Sequence, residues 1–174
     1  MKIIPIIFFL LTFLSLPCSA NKNKETIFEQ YPSKPPSVGT GPVLQLYVTL
    51  TDSIDVGQTD DGQRYIVPIT GGFFIGNGIS GEVLPGGADW QVVRADGIKK
   101  IIALYSIRTS DGEVIIVDNR GISYTDDDGR YRRTIPKFHA PRGKYDWLNK
   151  SLFVGTITSI KKPRAVIIRV YEVN

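Results

Sequence analysis

The sequence predicts an all-β protein, a mostly antiparallel closed β-barrel of roughly eight to ten short strands. Three observations predict it. Apolar and polar residues alternate at period two from Val43 almost to the C-terminus, and no window sustains a helical period beyond about two turns. Asp-Gly pairs at Asp96-Gly97, Asp111-Gly112 and Asp128-Gly129 separate neighbouring alternating runs, which is hairpin chemistry. Between Gly71 and Gln91, seven glycines and one proline surround only a few large side chains. Glycine weakens a strand unless the backbone must bend, bulge or approach something closely, so this density favours a sheet that curls over one that stays flat. With no helix to cover a face, closure or sandwiching is left as the way to bury apolar surface, and the glycine-rich bend favours closure.

In chain order, residues 1–20 read as a signal peptide. Lys2 gives the positive start, Ile3 to Leu16 is largely apolar, and Cys18-Ser19-Ala20 supplies small residues for cleavage after Ala20. That places the protein outside the cytoplasm, secreted or periplasmic. The competing reading is a lipoprotein acylated at Cys18, for which Leu16-Pro17 is a poor lead-in. The apolar run is too short to span a bilayer comfortably, so no stable membrane span is expected after cleavage. Cleavage also removes the single cysteine, leaving no thiol for a disulfide, a metal or nucleophilic catalysis. Residues 21–42, polar and interrupted by Pro32, Pro35, Pro36 and Pro42, read as an extended or disordered tether. One domain, 43–174, follows.

Within it, Leu44, Leu46, Val48 and Leu50 alternate with polar partners as a half-buried strand, and Arg64 to Thr70 is a second that ends at Gly71-Gly72. Further strands are expected at Ile79 to Leu84, Trp90 to Ala95, Ile101 to Thr109, Glu113 to Arg120, Tyr131 to Thr134, Leu152 to Ile160 and Ala165 to Val173. Tyr145 to Lys150 is the best short helical candidate. The last strand is apolar on both faces, which a water-facing barrel wall should not be, and this suggests that part of the outer wall packs against a subunit, as a homo-oligomer contact through the C-terminal strand, or against the chain's own termini.

Composition narrows the function. The formal charge is +4, or +3 without Lys2, and it is not gathered into a stripe; Arg130, Arg132 and Arg133 follow Asp126, Asp127 and Asp128, so they read as a self-compensating hairpin end. No nucleic-acid partner is implied. His139 is the only histidine, too little for zinc, and three adjacent acids lack the alternating spacing of a calcium loop. No nucleophile elbow is present, and neither Gly71-Gly72 nor Gly86-Gly87 opens a helix that could aim a dipole at phosphate.

What remains is a pocket of aromatics with a few polar groups. Trp90, Tyr105, Tyr145 and Trp147 can form flat walls, while Gln91, Arg94, Asn119 and Asn149 can orient a ligand. Along an ideal strand Trp90 and Arg94 share one face and Asp89 and Gln91 the other, unless a bulge at Gly86-Gly87 resets the phase. Trp90 reads as core packing or as pocket wall. Arg94 reads as a structural partner of Asp89 or Glu82, or as the group that meets a ligand carboxylate. Asp89 and Glu82 are the catalytic candidates if the chain is an enzyme: burial would raise the carboxyl pKa for acid-base chemistry, with Arg94 or Tyr105 holding negative charge.

The segments Gly71-Gly72-Phe73, Gly81 to Gln91 with its LPGGADWQ run, Asp96-Gly97, Asp111-Gly112, Trp147-Leu148-Asn149 and Val170-Tyr171-Glu172-Val173 resemble an uncharacterised family. That family is uncharacterised protein family 0311, domain of unknown function 3237, and the resemblance covers nearly everything from Val43 onward. It implies a compact, calycin-like antiparallel barrel with a lumen, and no established activity. The chain departs from it in its leader and tether, and in Ala103-Leu104-Tyr105 where Ala-Arg-Tyr is usual. Three readings result: an exported barrel binding a small aromatic or carboxylate-bearing molecule, an isomerase, cyclase or lyase using the same pocket, and an interaction module assembled through the apolar last strand. None calls for a cofactor.

Overall fold

The computed structural model describes residues 29–30 and 34–174. The expected signal peptide, with Cys18 and the site after Ala20, lies outside the described residues, as do 21–28 and 31–33 of the expected tether. The chain divides into two units, Met1–Pro35 and Pro36–Asn174. In the first, Glu29 and Gln30 are helical and exposed.

The second unit is one sheet of ten strands. Its spine is β3 (Gly62–Gly76), whose 15 residues are long enough to serve two neighbours on each edge. On one edge, β1 (Leu44–Leu50) pairs with the second half of β3 and β2 (Ile54–Thr59) with the first half. On the other, β4 (Ile79–Val83) and β5 (Ala88–Val93) divide β3 in the same way. Both β4 and β5 then pair with β6 (Lys99–Thr109), and a meander continues through β7 (Val114–Asp126) and β8 (Gly129–His139). After a short 3-10 turn at Asp146–Asn149, β9 (Leu152–Ile160) and β10 (Ala165–Val173) lead back to β1. With β4 and β5 taken as one interrupted strand, the ring is a closed antiparallel barrel of 8 strands, and β2 stands outside it.

The expected strands are all present, and the differences have local causes. Gly71-Gly72 does not end a strand; it sits in the middle of β3 at φ 145° and 137°. A Cβ on Gly72 would collide with the Tyr47 carbonyl of β1, so glycine is what lets β3 run on while bending against its neighbour. The unanticipated β2, IDVGQT, has its alternation broken by a register shift between Asp55 and Gly57. Ser37 to Gly39, expected within the tether, are tied to the C-terminus: Ser37 and Asn174 exchange backbone bonds of 2.8 and 2.7 Å, and Val38 bridges Val173. The two edges of β10 are therefore occupied, by β9 on one side and by β1 and Val38 on the other.

The barrel is solid at one end and hollow at the other. Phe74, Ile107, Ile115, Phe138, Leu148 and Phe153 are fully buried together, with Phe138 and Phe153 edge to face at 5.2 Å. Each such side chain contributes about 1.5–3 kcal/mol through removal from water. At the opposite end the inward side chains, among them Ile101, Ile157 and Ile168 with Asp89, Gln91 and Lys99, line an open interior instead of meeting across it.

Candidate functional site

The register of three adjacent strands stacks the inward residues of the open end in layers. Nearest the mouth, Lys99 of β6 faces Ser123 of β7, which faces Arg132 of β8. Below them come Ile101, Gly121 and Thr134, then Ala103, Asn119 and Pro136, then Tyr105, Val117 and Phe138. On the other side of β6, Val93 faces Lys99 and Asp89 faces Ala103, so Asp89 lies on the Asn119 layer. The cavity enclosed is about 600 Å³, within the range of small-molecule sites.

Its polar wall is a chain of hydrogen bonds running inward. Lys99 Nζ donates to Gln91 Oε1 at 2.9 Å, Gln91 Nε2 donates to Asp89 Oδ2 at 2.6 Å, and the Ile102 amide donates to Asp89 Oδ1 at 3.0 Å. On β8, Arg132 donates to Ser159 Oγ at 2.6 Å and to Ser123 Oγ at 3.3 Å. Lys99 also stands 5.9 Å from the Tyr65 ring centroid, a cation-π separation. Neither Lys99 nor Arg132 forms an ion pair within 4 Å among the described residues, so Asp89 is balanced through Gln91 and through space.

Burial sets the titration of these groups. Desolvation raises the Asp89 carboxyl above 3.8, against the opposing pull of Gln91, the Ile102 amide, Lys99 and Arg132. Desolvation likewise lowers Lys99 below 10.5, with Asp89 resisting, and lowers Arg132 with help from Arg130. Deeper in the barrel, burial drives the Tyr105 phenol well above its usual range. Among the described residues three buried side-chain polar atoms have no hydrogen-bond partner: Tyr105 OH, Asn119 Oδ1 and Thr134 Oγ1. Each such unmet group costs about 1–3 kcal/mol. Thr134 is given its room by Gly121 and Gly155, where an added Cβ would press on its side chain.

Of the residues singled out from the sequence, Asp89, Gln91, Tyr105 and Asn119 line the cavity. The alternation of β5 places Asp89 and Gln91 inward and turns Trp90 outward, where it is 48% exposed. Arg94 follows β5 on the outward face of Trp90, opposite to Asp89 and Gln91, and pairs in the β5–β6 turn with Asp96 at 2.6 Å, not with Asp89 or Glu82. Glu82 is on the outside of β4, 2.9 Å from Arg108. Tyr145 belongs to the sealed end, donating to Asp111 at 2.7 Å, and Trp147 packs edge-on against Phe153 at 6.0 Å. Asn149 bonds both backbone polar groups of Ala140, pinning the loop after β8. The expected aromatic walls are thus divided between outer surface, sealed end and lumen. Lys99, Arg132, Ser123 and Ser159 were not anticipated. Period two along β8 carried the signal, since Arg132, Thr134, Pro136 and Phe138 share one face.

Among the described residues no group of three or more His, Cys, Asp or Glu is placed to hold a metal, and no helix is long and apolar enough to cross a membrane.

Fold and site together define a small closed antiparallel barrel, sealed by aromatic packing at one end and opening at the other into a polar, positively biased cavity. The chain belongs to the family described as "Protein of unknown function (DUF3237)", whose model matches residues 39–173. It is 34% identical over 147 residues to a UPF0311 protein of Clostridium acetobutylicum, spanning 76% of this chain and 92% of that one. A β-barrel-like protein from Acinetobacter baumannii AYE superposes with TM-score 0.76 at 30% identity, over 83% of this chain and 100% of the other. A structure described as an enzyme from Penicillium herquei shares the fold, with TM-score 0.66 at 23% identity over 82% and 98% of the two chains.

Proposed function

We propose that this protein is an exported barrel that binds a small carboxylate-bearing molecule in its lumen. One observation carries the reading: Lys99 of β6 and Arg132 of β8 enter the cavity on the same layer, on either side of Ser123 of β7, and among the described residues the only carboxylate that lines the cavity with them is Asp89. Two partly buried cations held by neutral partners have already met part of the cost of desolvation, and an incoming carboxylate recovers it. Lys161 and Arg164 at the same mouth extend the positive bias, although Arg164 is engaged by Asp52 at 3.1 Å. Export rests on the leader at 1–20, with Lys2 ahead of its apolar run.

The test is calorimetric titration of the protein with aryl monocarboxylates from benzoate to 4-phenylbutyrate, each beside its neutral amide. At least one acid is expected to bind ten-fold or more tightly than its amide, and the Lys99→Met/Arg132→Met double variant to abolish that preference. A panel in which no acid is preferred overturns the reading.

A second reading is favoured by Asp89. A carboxyl raised by burial, oriented by Gln91 and the Ile102 amide, suits an acid-base isomerase, cyclase or lyase acting on a bound carbonyl compound. The Penicillium herquei protein is described as an enzyme, but at 23% identity that likeness speaks for the fold alone. In D₂O the protein would speed loss of the phenylpyruvate methylene proton signal, and Asp89→Asn would return it to the buffer rate. Equal rates in wild type and buffer would remove the enzymatic reading.

A further inference from the structure

The inner end of the cavity carries a second, independent set of demands. Tyr105 is 3% exposed and Asn119 1%, both face the lumen, and neither Tyr105 OH nor Asn119 Oδ1 has a protein partner. Thr134, 1% exposed on the layer between Asn119 and the mouth, adds a third unpartnered oxygen. Packing alone does not explain them, since phenylalanine, leucine and valine would fill the same positions without orphaned polar atoms.

We infer that the ligand is a hydroxy-substituted carboxylic acid, bound with its carboxylate toward Lys99 and Arg132 and its hydroxyl at Tyr105 and Asn119. This deepens the carboxylate-binding reading and rests on it. The choice of hydroxyl follows from the donor and acceptor inventory. Asn119 Oδ1 can only accept, so its partner must donate; the Tyr105 phenol can donate, so the same partner should also accept. A ligand carbonyl meets the second demand and fails the first. An ammonium group meets the first and fails the second. A hydroxyl meets both, and Asp89 on the same layer offers another acceptor to the same proton.

The layers also bound the length. Lys99 and Asn119 are four residues apart along the β6 register, which is about 13 Å of strand. Lys99 leans inward to Gln91, which shortens the gap, so carboxylate and hydroxyl stand somewhat less than a nanometre apart. A flat apolar spacer suits the stretch between, where Ile101, Ala103, Ile157 and Ile168 form the wall.

The experiment compares 3-phenylpropionate with 3-(4-hydroxyphenyl)propionate, which differ only in the hydroxyl, by calorimetry on the full chain. The hydroxylated acid is expected to bind at least ten-fold tighter. Tyr105→Phe should shrink that advantage to within three-fold while leaving 3-phenylpropionate within two-fold of wild type; Lys99→Met should weaken both acids equally. Asn119→Leu provides the same comparison should Tyr105→Phe fail to fold, since Asn119 lines the same end of the cavity. If 3-phenylpropionate binds in preference to its amide and the hydroxyl adds nothing, the orphaned atoms hold water and this inference falls while carboxylate binding stands. If neither acid binds, both fall.

Discussion

At Asp89, burial and charge pull in opposite directions within one side chain. Desolvation raises its pKa above 3.8, while Gln91, the Ile102 amide, Lys99 and Arg132 pull it back without prevailing. A carboxyl whose folded pKa exceeds its unfolded value binds its proton more tightly in the native state. Its contribution to stability is therefore complete below the unfolded pKa and is lost as pH rises through the folded one. Asp89→Asn carries no such titration. The stability of Asp89→Asn relative to wild type should accordingly grow as pH is raised from about 3.8 and level off once Asp89 is fully ionised. Thermal melting of both proteins between pH 3.5 and 8 reads the difference curve, from which groups common to both cancel. A difference that shrinks as pH rises would mean that Lys99 and Arg132 overcome desolvation, so that the cavity holds a stabilised carboxylate. The sequence made Asp89 and Gln91 legible because alternation along a strand needs no tertiary information. It concealed Lys99 and Arg132 because a lysine beside a turn and an arginine after three aspartates look solvated; period two puts Arg132 on the face of Phe138, but that face is known to be inward only once β8 is paired into the barrel.

At the scale of the element, β3 explains why the barrel closes. A strand of 15 residues bordered by two partners on each edge must change curvature midway, and it does so where the β1 ladder shifts register, between its pairs at Ile69 and Gly71, and the β4 ladder begins at Gly72. Gly72 lies at that point with φ 137° and the Tyr47 carbonyl directly where a Cβ would stand. Gly86, φ 100°, has open space around the same position. Gly72→Ala must both leave its backbone basin and push a carbonyl out of the sheet, whereas Gly86→Ala meets the first penalty alone. Urea denaturation should show a loss of about 2–4 kcal/mol for Gly72→Ala and about 1 kcal/mol for Gly86→Ala. Equal losses would remove β3 from its place as the bend. Glycine density between Gly71 and Gln91 made this curvature readable from the sequence, and the Asp-Gly pairs marked the hairpins, with Gly97, Gly112 and Gly129 all at positive φ. The strand boundaries were less readable. A glycine pair looks the same whether it ends a strand or bends one, and only the carbonyl of the neighbouring strand distinguishes the two.

Across the whole molecule, closure is uneven. Long ladders join β6 to β7, β7 to β8 and β9 to β10, yet β8 and β9 meet through only two registered pairs, Arg133 with Thr156 and Thr134 with Gly155. The ladder halts toward the sealed end because Pro136 has no N–H to give. Toward the mouth its work passes to a side chain: Arg132 of β8 reaches Ser159 of β9 at 2.6 Å, across the seam. Arg132 would thus serve both as the cation of the cavity and as the strap that holds the barrel wall shut beside it. Arg132→Met keeps the length of the apolar stem and removes the strap. Amide hydrogen exchange on that variant should speed up along Thr156 to Ile160 and at Arg133, by about ten-fold, while the β6–β7 ladder keeps wild-type rates. A carboxylate ligand bound to wild type should slow the same amides, because a filled cavity braces both walls of the seam. Uniform acceleration over all strands would instead mark Arg132 as a contributor to global stability, and unchanged exchange at Thr156 to Ile160 would show that the two backbone pairs close the barrel unaided.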